Sequence, residues 1–177
     1  MEFTFTDAVA LASRWLHILA AMAAVGGMMF MRFALLPAAA TLADPQRAAL
    51  QEAIRRRWSK VVMAAIGLLL VSGLYNYITL YMASKNWPEA WRSGPFRVYQ
   101  MLFGIKFLLA LAIFFISSAL VGRSSAFARF RERAKFWVTV NLALAVLLVA
   151  ISSELRMMHA GPPVSIAPSS QPPAPSP

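Results

Sequence analysis

The 177-residue chain contains no cysteine and only two histidines. The missing cysteines exclude disulfides, thiolate-bound zinc, iron–sulfur clusters and thiolate nucleophiles. Acidic residues are also few, seven against 17 Lys and Arg, which gives a net charge of +10. No phosphate-binding loop, nucleophile elbow or metal-hydrolase motif is present. A pI of about 11.1 in a soluble protein would point to nucleic acid. Here no recognition motif accompanies the charge, and the cations cluster between hydrophobic runs. Nucleic acid is therefore not an expected partner.

Apolar sequence is what the chain has in excess. Hydrophobic residues make up 59%, against about 45–50% in a soluble domain. The excess lies in runs of about 20 residues, the length that crosses a bilayer. The pattern predicts an all-α polytopic membrane protein, an up-down four-helix transmembrane bundle within residues 1–160. The expected spans are about 8–36, 58–82, 97–121 and 136–158. The Pro/Ser-rich stretch 161–177 is expected to be a disordered tail. The acidic start, Met1 to Asp7, lacks the basic residues of a signal peptide, so the first run reads as a retained span.

Local signals place the ends. Thr6 or Asp7 is expected to cap helix one, and Pro37 to end it. Asp44 and Pro45 read as N-cap and first residue of helix two, which begins outside the membrane. Gly122 reads as the C-cap of helix three, and Ser124 or Ser125 as the cap before helix four. Arg32, Arg47, Arg55, Arg56, Arg57 and Lys60 flank the first connection. Arg123, Arg129, Arg131, Arg133 and Lys135 flank the third. The opposite side carries Arg14, Lys85, Arg92, Arg97 and Arg156. The positive-inside rule then predicts both termini outside the cytoplasm. Arg55, Arg56 and Arg57 are topology determinants first and contacts to anionic lipid second.

Two ionisable side chains fall inside the slab. At about 1.5 Å per residue, His17 lies roughly 13 Å and Lys106 roughly 12 Å from the outer boundary, on helices one and three. Four stripes at three–four spacing accompany them. Helix one offers Arg14, His17, Ala21, Ala24 and Met28; helix two Ala65, Leu69, Ser72 and Asn76. Helix three offers Tyr99, Phe103, Lys106, Ala110 and Ser117; helix four Asn141, Ala145, Leu148, Ser152, Leu155 and His159. Polar groups avoid lipid, so the stripes predict an inward-facing pocket in the outer half of the bilayer. A neutral His17 imidazole suits haem iron or copper. Lys106 could neutralise a carboxylate or move a proton. Gly26 and Gly27 read as a helix-contact surface that would also admit a flat ligand. Met157, Met158 and His159 are soft ligands suited to Cu(I), or an ordinary helix end. The plainer alternatives are that His17 bonds a neighbouring helix and that Lys106 pairs with Glu154 or a carbonyl. The tyrosines of helix two, with Trp87 and Trp91, read as an interfacial belt or as a lid over the pocket.

Trp15-Leu16-His17, Gly26-Gly27, Phe30 and Arg32 resemble the first helix of the copper-resistance protein D family and of the related HemJ-type protoporphyrinogen oxidases. Arg57-Trp58-Ser59-Lys60-Val61 with Gly73-Leu74, and Ile105-Lys106-Phe107-Leu108-Leu109, are similar to the second and third helices of that group. The resemblance implies a four-helix protein of a bacterial-type inner membrane. It implies b-type haem on His17, Lys106 near the tetrapyrrole as a catalytic group, and oxidoreductase chemistry. HemJ-type sequences carry a second histidine where this chain has Leu35-Leu36-Pro37, and a proline where it has Ala64-Ala65. The site expected from the residues and the resemblance comprises Lys106, His17, Arg14, Gly27, Asn76 and Ser152. Met158 and His159 join His17 as candidate metal ligands. Copper handling, or a scaffold role in a membrane complex, are the other expected readings. Lipid, and a redox partner or a second copy, are the expected partners.

Overall fold

A computed structural model describes residues 4–122 and 124–158. Four helices are long and apolar enough to cross a membrane, and the described residues form an all-α bundle without strands. Thr4 caps α1 (Phe5–Phe30) through a capping box with Asp7. The start lies earlier than expected, because Asp7 serves as the N3 partner and not as the cap.

Helix one also runs past Pro37. After α1 come a π turn (Met31–Leu35) and α2 (Leu36–Ala40). Proline has no N–H and its ring crowds the carbonyl four residues back. The wider turn relieves that crowding, and the Leu36 N–H reaches the Met31 carbonyl, five residues away. The chain then reverses into α3 (Asp44–Ser84), where Ala43 is the N-cap and Asp44 and Pro45 open the helix. At 41 residues, α3 is about 60 Å long, twice the hydrocarbon thickness. It is therefore longer than one crossing needs.

A short α4 (Glu89–Ser93) leads into α5 (Pro95–Val121), which Gly122 ends in extended backbone. Ser124 caps a 3-10 turn (Ser125–Phe127), followed by α6 (Ala128–Glu132) and α7 (Ala134–Met158). The basic lead-in to helix four is thus a separate turn, broken at Arg133, where φ is −105° and ψ 35°. The tightest helix pairs are α1 with α3 and α5 with α7; α3 joins α5, and α1 meets α7 more lightly.

Small and polar residues face inward, including Ala20, Ala65, Ser72, Ala119, Asn141 and Ala145. Large apolar residues face outward, among them Val71 (72% exposed) and Leu108 (67%). Water would punish that inversion and lipid rewards it. Of the tyrosines of α3, Tyr77 turns inward, whereas Tyr81 stays exposed. Tyr77 stacks on Phe103 at 4.0 Å between centroids, and Phe96, Tyr99 and Trp87 continue the cluster.

Candidate functional site

Ser13 and His17 are one turn apart on α1, and Ser72 and Asn76 one turn apart on α3. The helices meet so that the two pairs face each other. The Ser13 hydroxyl donates to Asn76 Oδ1 at 3.5 Å. His17 Nδ1 lies 2.8 Å from Ser72 Oγ. Gly73 stands at this contact, where a Cβ would meet His17 Cε1 at 3.4 Å, an ordinary van der Waals distance.

The direction of the His17–Ser72 bond follows from its neighbour. Ser72 has one hydroxyl proton and gives it to the Leu68 carbonyl. Its oxygen can then only accept, so His17 Nδ1 carries the ring proton. In the neutral ring this tautomer keeps its lone pair on Nε2. No protein group bonds Nε2 among the described residues. Lys106 is half-buried on α5. It has no hydrogen-bond or ion-pair partner among the described residues, and Glu154 is exposed. Counted along α3 from Lys60, Ser72 lies about 18 Å inward. That is close to the middle of a hydrocarbon layer of about 30 Å.

Other expected site residues lie elsewhere. Arg14 is exposed on the outside of α1, not on the inward stripe; Ser13 takes the inward position. Gly27 is ten residues, about 15 Å, from His17. The face that would admit a flat ligand holds the chain's own Trp58: a Cβ on Gly27 would lie 2.1 Å from the indole. Ser152 donates to the Leu148 carbonyl of its own helix at 2.7 Å. The side chain of Met158, and all of His159 and the tail 161–177, lie outside the described residues. Cavities of about 210 and 270 Å³ sit at the two ends of the bundle. The first is lined by Tyr81, Lys85, Glu89 and Phe96, the second by Leu35, Arg55, Trp58 and Arg131.

A second polar node was not anticipated. Asn141 on α7 has no exposed surface. It donates to Ser117 Oγ of α5 at 2.8 Å and to Met28 Sδ of α1 at 3.1 Å. Each of the three residues stood on its own stripe. What one sequence lacks is the relative rotation and height that make the stripes meet.

No group of three His, Cys, Asp or Glu side chains able to hold a metal ion occurs among the described residues. The donor chemistry at His17 instead fits a metal that brings most of its own ligands: one imidazole lone pair, with the tautomer fixed from behind. Comparison with protein-family models, curated proteins and solved structures yields no match for this chain.

Proposed function

We propose that this chain is a membrane-embedded haem-binding redox protein, with His17 Nε2 as an axial ligand. The observation that supports this reading is the Ser72-directed tautomer, which leaves a ligand lone pair near the middle of the membrane. A histidine at that depth is costly unless it has a task. Haem iron takes four nitrogens from the porphyrin and can be held by a single protein ligand. A bare ion needs three or four ligands from the chain, which the described residues do not group together. That ordering favours haem over copper.

In this reading Ser72 holds the His17 ring and its proton in place, and Gly73 lies against the ring. Ser13 and Asn76 close the helix contact one turn further out. Lys106, half-buried on α5 without a partner among the described residues, would suit a propionate carboxylate or hand on a proton. Bound haem would supply one-electron chemistry, tuned by its axial ligand and by the hydrogen bond behind it. The positive-inside rule places the His17 end toward the outside of the cell.

A second reading takes the His17–Ser72 and Ser13–Asn76 bonds as helix glue in a non-catalytic membrane subunit, which their position between α1 and α3 favours. One experiment separates the two. The protein is purified in detergent from a haem-supplied host and its absorbance recorded. A Soret band that His17→Ala abolishes is the expected result. A colourless wild type, or a band indifferent to His17→Ala, refutes the haem reading.

A further inference from the structure

The larger cavity, about 270 Å³, lies at the basic end of the bundle, remote from His17. The π turn and α2 form one side, the first turns of α3 another, and the end of α5 with the start of α7 the rest. Its lining is of two kinds. Leu35, Leu36, Leu120 and Val121 are apolar, whereas Arg55 and Arg131 are cationic.

Arg55 is only partly satisfied. A terminal nitrogen pairs with Glu52, the acidic residue of the lining. Its Nε is buried without any partner. A buried, unpaired N–H on a charged group is unfavourable, and an anion would relieve it. Arg131 gives Nη1 to the carbonyls of Gly122 and Ser124 at 3.0 and 2.9 Å. Its other N–H groups have no partner among the described residues. Two guanidiniums against one carboxylate leave the cavity positive, whereas Arg57 is exposed and outside its lining.

Position restricts the ligand further. Trp58, which lines the cavity, and Lys60 two residues on mark the headgroup level of α3. A freely soluble anion would leave the leucine wall unmatched. A zwitterionic lipid would bring its own cation to a positive cavity. Basic pockets between membrane helices on this side suit anionic headgroups. We infer that this cavity binds the headgroup of an anionic phospholipid, its phosphate on Arg55 and Arg131 and its apolar part against Leu35 and Leu36.

The test is native mass spectrometry of the full chain in detergent, titrated with phosphatidylglycerol and with phosphatidylcholine of the same acyl length. Wild type is expected to bind phosphatidylglycerol about 10-fold more tightly, the scale of a charge-assisted hydrogen bond. Arg55→Gln is expected to remove that preference, and the exposed Arg57→Gln to keep it. Arg131→Gln serves as a second variant should Arg55→Gln not fold. Equal affinity of wild type for the two lipids overturns the assignment without any variant. So does a preference that survives in both Arg55→Gln and Arg131→Gln. Displacement of phosphatidylglycerol by equimolar inorganic phosphate would reassign the cavity to a soluble phosphoester and likewise overturn it.

Discussion

The two polar nodes inside the bundle differ in what they leave over. Around Asn141, which has no exposed surface, three helices are joined by neutral groups, and Asn141 Oδ1 is left without a partner. Around His17, two helices are joined, and an ionisable ring is left with Nε2 unpaired among the described residues. Both nodes use a short interhelical hydrogen bond. The Asn141 Oδ1 lone pairs belong to an amide, a weak base and a poor iron ligand; only the second node keeps an imidazole nitrogen lone pair. The Asn141 node joins three helices, and the proposed chemistry rests on the His17 node alone.

The largest expected effect lies at the tight contact of α1 with α3. Gly27→Ala drives a methyl into the Trp58 indole, and overpacking of this kind removes about 2–3 kcal/mol. The neighbouring Gly26 has open space around its Cα. There alanine is expected to gain up to about 1 kcal/mol from helix propensity. Thermal melts of the two variants in detergent check the pair. Equal stability would mean that α1 and α3 do not meet in this register.

Asn141→Ala is expected to lower stability by about 1–2 kcal/mol, through the lost bonds and a stranded Ser117 hydroxyl. A double-mutant cycle with Ser117→Ala should return a coupling of about 0.6 kcal/mol, typical of membrane interhelical bonds. Neither change should alter a haem spectrum. A spectral shift in Asn141→Ala would break the division between the nodes.

Ser72→Ala should behave in the opposite sense. Its stability loss is expected to stay below about 1 kcal/mol, while haem affinity falls by about 10–100-fold, the usual effect of losing the partner behind a ligating histidine. Haem titration followed at the Soret maximum, alongside a thermal melt, measures both. A purely structural Ser72 would lower the melt and leave the titration unchanged. The smallest expected effect is at Arg14. It is exposed, so Arg14→Gln should move neither readout measurably.

The spans were legible because lipid selects for composition, and runs of about 20 apolar residues need no partner to be recognised. Helix ends were legible to within a few residues; Thr4 and the π turn before Pro37 shifted them through capping and crowding that compete locally. On the inward stripe of α1, His17, Ala21, Ala24 and Met28 are where the spacing puts them, and only Arg14 is not. Arg14 and Ser13 flank the same direction at three and four residues before His17, and the contact with α3 selects Ser13. His17 and Asn76 were legible as polar residues at depth. The pairing of Gly27 with Trp58, 31 residues apart, was not, because it depends on how far α1 slides along α3. The Ser72 proton, which decides what His17 can do, required the Leu68 carbonyl and so a structure.

The claim that most needs testing is that His17 ligates iron, rather than shaping a site for it. His17→Gly should lose the Soret band in protein purified from a haem-supplied host. Added imidazole, free to take the place of the missing ring, should restore it, with no recovery from an equal concentration of a non-ligating amine. A Soret band that persists in His17→Gly without imidazole would contradict the account.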